Sequence, residues 1–260
     1  MATEYSGRGD PARTMALLWG TQKRPSRGPK PGLSVERVVQ TAIEISDAEG
    51  LGALSMRRVA DRLGVSTMSL YTYVPGKAEL IDVMLDAVLG EAVGPHDAAG
   101  GWRERLEIVA RENWALFHRH PWILQVAAMS RPPLGPNVIA KYDHELRAVE
   151  GIGLTDVEMD SVLTLVLEYV QGTARNAVEA SQAERRTGMT DEGWWSANAP
   201  LLEMVFDAER YPTAARVGTA AGAAHGAAYD PDQAFEFGLQ RVLDGVEAFV
   251  RSRSARVNRR

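Results

Sequence analysis

Apolar residues recur along most of the chain at spacings of three, four and seven, which place their side chains on one face of an α-helix. One such segment follows Ser34, a residue type that favours helix N-termini, and its apolar members are Val35, Val38, Val39, Ala42 and Ile43. A longer segment starts near residue 156 and carries Met159, Val162, Leu163, Val166, Leu167, Val170 and Ala174. No alternating pattern typical of β-strands and no internal repeat stands out. The pattern therefore predicts an all-α protein.

Clusters of glycine and proline divide this helical pattern into parts. The predicted parts are a basic, largely flexible N-terminal arm at 1–32, a three-helix head with a connecting helix at 33–92, a larger helical domain at 93–250 and a charged tail at 251–260. Within the arm, Pro11 to Trp19 could form a short amphipathic helix. A chain of 260 residues is long enough for a small domain followed by a larger one.

The segment from Ser55 to Lys77 carries the most specific pattern in the chain. Its first helix ends at Gly64-Val65, and its inward side chains are Val59, Ala60 and Leu63. Ser66 is placed to cap a second helix, in which Leu70 is the apolar anchor. Around this anchor the second helix presents small hydroxyls and two tyrosines, which suit a DNA groove better than a core. The segment therefore predicts a helix-turn-helix, whose second helix enters the major groove.

Charge and composition are compatible with a DNA partner. The net charge is −5, but residues 1–32 hold six basic and two acidic residues, and most of the acidic excess lies beyond residue 77. Charges act on DNA within about a Debye length, ~8 Å at physiological salt, so a distant acidic domain does not prevent binding. There is no cysteine, which excludes disulfides and thiolate zinc sites. No signal-like segment or membrane-length apolar run is present, so we expect a cytoplasmic protein without a membrane partner.

These features resemble the TetR family of one-component bacterial regulators. The matching elements within residues 33–92 are Ala48-Glu-Gly50, Ser55-Met-Arg-Arg-Val-Ala60, Gly64-Val65, Ser69-Leu-Tyr71, Val74 and Lys77. The C-terminal half resembles the tetracycline-repressor type of effector domain in its helix order and in Arg131-Pro132. The resemblance implies a homodimer that binds a palindromic operator in double-stranded DNA. It also implies release of the operator when a small-molecule effector binds the larger domain.

The resemblance places the DNA contacts on and around the recognition helix. Tyr71 matches a position that contacts the DNA backbone or a base, and Lys77 matches one that holds a phosphate. Arg57 matches a base-reading arginine, although a phosphate contact is an equal alternative. The further candidates in the recognition helix are Thr67, Met68, Ser69, Thr72 and Tyr73. Of these, Tyr73 could instead lean on the core of the head, and Ser34 and Thr41 have weaker support as phosphate contacts.

The N-terminal arm is the main departure from a minimal family member. Its residues Lys23, Arg24 and Arg27 would suit a minor groove narrowed over A·T base pairs, while a disordered solubilising tail is the alternative. The apolar run Leu17-Leu-Trp19 does not suit a free tail. We therefore expect this run to pack against protein, for example against the partner subunit.

The larger domain offers aromatic and polar side chains for an effector cavity. The candidate apolar lining is Trp114, Phe117, Trp122, Met129 and Tyr169. The candidate polar anchors are Asn113, Gln125, Glu168, Gln171, Arg175 and Asn176. Each of them could instead belong to the core or the surface. Such a lining favours a hydrophobic or polycyclic effector. Where the tetracycline repressor has a magnesium-coordinating histidine, this chain has Ala127, so we expect no metal and no other cofactor.

Dimerisation is expected through the helices at 156–184 and 231–250, which would pair with their copies as a four-helix bundle. Burial of the same faces within one subunit is the alternative. A different class of function, an all-α enzyme or ligand-binding protein without a DNA role, also has to be considered, as does a TetR-like activator. Against an enzyme, the chain has no cysteine nucleophile, no His-Glu-x-x-His, no phosphate-binding glycine loop and no nucleophile elbow.

Overall fold

All regular secondary structure in the described part of the chain is helical. The computed structural model describes residues 6–21, 33–92, 100–127 and 131–257. Its helices are α1 (Pro11–Leu18), α2 (Val35–Glu49), α3 (Met56–Leu63), α4 (Thr67–Tyr71), α5 (Lys77–Leu89), α6 (Trp102–Arg119), α7 (Ile123–Val126), α8 (Pro136–Leu146), α9 (Asp156–Thr187), α10 (Asp191–Val205), α11 (Pro212–His225) and α12 (Pro231–Val257). The predicted all-α fold is confirmed.

Short polar side chains fix the starts of the helices in the head. The hydroxyls of Ser34, Ser55 and Ser66 accept hydrogen bonds from backbone N–H groups three residues later, at 3.2, 3.2 and 3.3 Å. Each serine satisfies a donor that the first helical turn leaves without a partner. The boundaries of α2, α3 and α4 therefore follow from the local sequence.

A glycine sets the turn of the helix-turn-helix. Gly64 ends α3 with φ +66°, a left-handed conformation that strains residues with a Cβ. The next residue, Val65, donates its N–H back to the Ala60 carbonyl at 3.0 Å, which closes the end of α3. The head then packs around side chains that are fully buried: Val38, Ala42, Val59, Ala60, Leu70 and Val74. This packing fixes the orientation of α4 within the head.

Helix α5 joins the head to the larger domain, and α6, α9 and α12 form the centre of that domain. The buried apolar face of α5 belongs to the same continuous core as the head. In the larger domain α9 packs against both α6 and α12, and its fully buried side chains include Leu163, Val166 and Val170. By contrast, α10 and α11 bury no residue, as expected for the Ala- and Gly-rich sequence around α11.

Residues 11–18 form a short helix, as the sequence allowed within the N-terminal arm. They form α1, which starts at an Asp10 N-cap and buries Leu17 and Leu18. This helix packs against α5 of its own chain, and the indole of Trp19 donates a hydrogen bond to the Leu134 carbonyl at 2.9 Å. Burial of the apolar run stabilises this helix, and the Asp10 cap already fixes where the helix starts.

The last helix, α12, continues to Val257 and so includes the first residues of the predicted charged tail. Ion pairs support the charged part of this helix. Arg251 pairs with Glu247 at 2.5 Å, one turn earlier, and Arg253 pairs with Glu158 of α9 at 3.1 Å. A charged segment can therefore stay helical where a neighbouring helix supplies partners. In the described ranges, no helix is both long and apolar enough to cross a membrane.

Candidate DNA-binding surface and effector domain

The recognition helix α4 presents one exposed face while its opposite side is held in the core. Leu70 is fully buried, whereas Met68 is 76% exposed and Tyr71 is 45% exposed. Met68, Tyr71 and the exposed Thr72 lie three and four residues apart, so they share one side of this short helix. The Thr72 hydroxyl donates to the Met68 carbonyl at 3.4 Å. This arrangement leaves a methionine, a phenol and a threonine available to a partner in solution.

The remaining candidates between Thr67 and Lys77 are less exposed. The hydroxyls of Ser66 and Ser69 lie 2.8 Å apart and hydrogen-bond each other at the start of the helix. Thr67 is half-buried beside them. Tyr73 is half-buried and packs against the core, which is the alternative considered for it from the sequence. Lys77 begins α5 and is also half-buried.

Helix α3 carries arginines with different environments. Arg58 forms an ion pair with Glu49 of α2, which ties the two helices together. Arg57 makes only a 3.9 Å contact with Asp61, and both side chains are largely exposed, at 86% and 72%. An ion pair this exposed contributes little to stability, so Arg57 can readily exchange Asp61 for another partner. The guanidinium of Arg57 can therefore reach a DNA base or phosphate without losing a strong contact.

Some predicted positions lie outside the described residues. They are Lys23, Arg24 and Arg27 of the arm and Met129 of the expected cavity.

A polar cluster connects the head to the larger domain. The buried imidazole of His120 contacts Asp47 of α2 at 2.8 Å through Nδ1 and Glu91 at 3.2 Å through Nε2. The indole N–H of Trp122 donates to the same Asp47 oxygen at 2.7 Å, and Arg119 pairs with Glu91 at 2.7 Å. Partial burial acts to raise the pKa of Glu91, but hydrogen bonds from Arg119 and His120 outweigh it and lower that pKa. Three side chains thus converge on two carboxylates at this junction.

Trp122, a candidate for the lining of an effector cavity, lies at this junction. Its side chain is 1% exposed, and its indole N–H donates a hydrogen bond to Asp47 of the head. Pro121 and Trp122 form the corner between α6 and α7, and that corner faces the end of α2. Sequence reasoning could not find this contact, because Asp47 and Trp122 are 75 residues apart.

The aromatic candidates of the larger domain pack against α12 of the same chain. The rings of Trp114 and Phe235 stack with centroids 4.1 Å apart. The Tyr169 hydroxyl lies within hydrogen-bonding distance of two α12 carbonyls, those of Ala234 at 2.8 Å and Phe235 at 2.9 Å. Phe117 is buried in the core. Trp114 and Tyr169 therefore join three helices, α6, α9 and α12, at one end of the domain.

Two of the polar candidates hold the segment around α7 in place. Arg175 of α9 donates to the Leu124 carbonyl at 3.1 Å, and Gln171 reaches the Ala127 carbonyl at 3.5 Å. The other polar candidates Gln125, Glu168 and Asn176 are exposed. The polar candidates for the effector cavity therefore lie in different environments.

Asn113 belongs to a buried polar cluster between α6 and α8. Its amide donates to the Val109 carbonyl at 2.9 Å and to a Glu145 carboxylate oxygen at 2.7 Å. The same oxygen of Glu145 pairs with Lys141, and both charged side chains are almost completely buried. Sequence reasoning missed Lys141 and Glu145, because their four-residue spacing is equally typical of an exposed helical ion pair. A buried pair is more costly to form, which marks this cluster as a candidate polar anchor.

The structure combines a helix-turn-helix, which has an exposed recognition face, with a larger helical domain, and a polar junction joins the two. This combination is typical of DNA-binding regulators. The comparison with known families makes this specific. A family model described as "Bacterial regulatory proteins, tetR family" matches residues 38–84. A second, described as "Tetracyclin repressor-like, C-terminal domain", matches residues 94–250. The chain belongs to the TetR family.

Similar proteins extend this assignment. The HTH-type transcriptional repressor DrrR1 of Streptomyces coeruleorubidus is 50% identical over 254 residues, which cover 97% of this chain and 91% of that protein. The crystal structure of apo ActR from Streptomyces coelicolor has a TM-score of 0.67 at 28% identity, covering 86% of this chain and 99% of that one. ActR in complex with actinorhodin has a TM-score of 0.70 at 29% identity, covering 84% and 97%. The chain is a TetR-family transcriptional repressor, and an enzymatic function is set aside.

Replacing Asp47 by alanine should weaken the junction, because it leaves the buried Trp122 N–H and a His120 ring nitrogen without their acceptor. We expect the free energy of unfolding to fall by about 1–3 kcal/mol, the usual cost of leaving buried donors unsatisfied. Urea unfolding followed by circular dichroism measures this loss. The matched control is Asp61→Ala, also an aspartate of a helix in the head but 72% exposed, which should change stability little. Equal effects of the two substitutions would contradict the assigned role of Asp47.

Proposed function

We propose that the protein is a homodimeric repressor that binds a palindromic operator and leaves it when a small hydrophobic or polycyclic molecule occupies the larger domain. The proposed parts are the head at 33–92 and the effector and dimerisation domain at 93–250. The observation that carries the proposal is the exposed face of α4 beside the exposed Arg57. Because a repressor has to reach its operator inside the bacterial cell, we propose that the protein acts in the cytoplasm.

DNA reading would divide between two neighbouring surfaces of the head. The exposed face of α4 offers Met68 and Tyr71 for apolar contact with thymine methyl groups and for contact with bases or phosphates. Arg57 at the start of α3 offers a planar, doubly donating group that can bind the edge of a guanine. Ser34, Thr67, Ser69, Thr72 and Lys77 would add hydroxyl and ammonium donors for phosphates.

Dimerisation supports the palindromic operator. Apolar side chains remain exposed on the two helices proposed for the dimer: Val157 and Leu165 on α9, and Phe237 and Phe249 on α12. Pairing of α9 and α12 with their copies would cover such side chains in a four-helix bundle. A two-fold symmetric dimer presents two recognition helices to two half-sites of opposite orientation.

The effector would act on the larger domain and change the position of the head. ActR, a similar structure, has been crystallised in complexes with actinorhodin and with (S)-DNPA. In this chain, Arg175 and Gln171 of α9 bind the segment around α7, and the corner before α7 contacts Asp47 of the head. A molecule that displaces α6 or α9 would therefore move the corner and, through Asp47, the head.

Sequence-specific DNA binding tests the proposal directly. Selection from random double-stranded DNA, together with the DNA upstream of the protein's own gene, should yield a palindromic site. Arg57→Ala should lower affinity for this site by about tenfold and relax the preference at one base pair in each half-site. A uniform loss at all sequences would show a phosphate contact instead. The control, Arg185→Ala on the exposed end of α9, should leave binding unchanged. Binding without any sequence preference would contradict a repressor function.

The basic arm should contribute electrostatically to operator affinity. Replacing Lys23, Arg24 and Arg27 together by alanine should weaken binding and make the dependence of log affinity on log salt concentration less steep by up to about three units. The matched control removes the same charge from the larger domain, by alanine at Arg185, Arg186 and Arg216. Fluorescence anisotropy over a salt series gives both slopes. Identical slopes for the arm variant and the wild type would rule out DNA contacts by these residues.

Effector binding should be visible as stabilisation of the protein and loss of the operator complex. A thermal-shift screen of hydrophobic and polycyclic compounds, with actinorhodin as one probe, should identify molecules that raise the melting temperature. The same molecules should lower operator affinity by a factor of about 5–150, the usual range of allosteric coupling. A compound that stabilises the protein strongly but leaves operator affinity unchanged would contradict release by that compound.

A further inference from the structure

Residues 6–21 lie outside both matched family regions, yet they contact the two domains at once. We call this segment the N-terminal strap. We propose that the strap is a positioning element that couples the segment formed by residues 123–127 and 131–135 to helix α5, and so sets the orientation of the head. The proposal rests on the proposed function, because coupling matters only if the head releases an operator.

One set of strap contacts is made with α5. The N–H of Gly7 donates to the Asp82 carboxylate at 2.8 Å, and the N–H of Asp10 donates to Glu79 at 3.2 Å. Gly7 has φ +77°, a conformation that favours glycine and turns the chain toward α5. Both carboxylates are buried, so these backbone donors supply hydrogen bonds that water does not. Behind them, Leu17 of α1 joins the continuous core that includes the apolar face of α5.

A second set of contacts is made with the larger domain. The N–H of Ser6 donates to the Val126 carbonyl at 3.2 Å, and its hydroxyl donates to the Arg131 carbonyl at 3.3 Å. At the other end of the strap, the Trp19 indole donates to the Leu134 carbonyl at 2.9 Å. The strap therefore binds this segment at the end of α7 and again just ahead of α8. Because Leu124 and Ala127 at the start of this segment also accept hydrogen bonds from α9, a shift of α9 would reach the strap.

Helix α8, which follows this segment, also contacts α5 directly. Asp86, one turn beyond Asp82, accepts hydrogen bonds from the Val138 N–H at 3.0 Å and from the Asn137 amide at 3.0 Å, both at the start of α8. Asp82 of α5 therefore binds the strap, and Asp86, one turn further along the same helix, binds α8. Movement of the segment relative to α5 must break contacts of the strap, of α8 or of both. This geometry makes the strap a part of the connection between the domains rather than an appendage.

Two conservative substitutions test the proposal in the full-length protein. Ser6→Ala removes the hydroxyl that reaches Arg131, and Trp19→Phe removes the indole N–H that reaches Leu134 while keeping an aromatic ring. Met15→Leu is the control, since Met15 lies on the exposed side of α1. Urea unfolding first establishes that all variants are folded. The readouts are operator affinity and the distance between the two heads of the dimer. This distance is measured by electron–electron double resonance with a spin label at Glu44→Cys, which is unique because the chain has no cysteine.

We expect each strap variant to lower operator affinity by about threefold to tenfold, as for the loss of one hydrogen bond, and to broaden the distribution of head-to-head distances. Met15→Leu should match the wild type in both readouts. Wild-type affinity and an unchanged distance distribution in both strap variants would overturn the proposal. A wild-type protein that shows neither operator preference nor a head-to-head distance would instead overturn the proposed function, and the coupling with it.

Discussion

Helix α5 carries two buried carboxylates one turn apart, Asp82 and Asp86, and their hydrogen bonds connect the helix that leads from the head to segments distant in sequence. Desolvation by burial raises the pKa of both groups, and hydrogen bonds from Gly7 and from Val138 and Asn137 respectively act in the opposite direction. A buried carboxylate without donors would be costly, so the N–H groups supplied by segments distant in sequence offset part of the cost of burying Asp82 and Asp86 beside the apolar face of α5. The N-terminal strap and the start of α8 are thereby fixed on the helix that leads from the head.

The junction around Asp47 and Glu91 is a second place where carboxylates accept hydrogen bonds from a segment distant in sequence. There the donors are side chains, His120, Trp122 and Arg119, all from the end of α6 and the corner that follows it. The head is thus connected to the larger domain through polar contacts with defined directions as well as through apolar packing. Directional contacts are suited to transmitting a displacement, because hydrogen bonds weaken steeply when their distance or angle changes.

Helix types and positions followed largely from the sequence. Serine caps, the glycine at the turn and the apolar spacing are local features, and the structure forms α2, α3, α4 and α9 where they indicated. Residues 11–18 were harder to place, because a single apolar run in a basic segment does not say what covers it. The candidate effector residues were hardest, since an aromatic residue on a helix has the same pattern in a cavity, in a core or at a junction. Trp122 and Trp114 illustrate this: one binds the head and the other stacks on α12.

By itself the sequence determined the all-α class, the helix-turn-helix between Ser55 and Lys77, and the resemblance that the family comparison confirmed. These depend on neighbours in the chain, on periodicity and on capping, which the sequence contains directly. Only the tertiary structure decided that the strap packs on its own chain, that Trp122 joins the head, and that Lys141, Glu145 and Asn113 form a buried cluster. Each of these depends on a partner from a different helix or from a segment distant in sequence. Which of several chemically suitable partners a side chain meets is fixed by the packing of the whole chain.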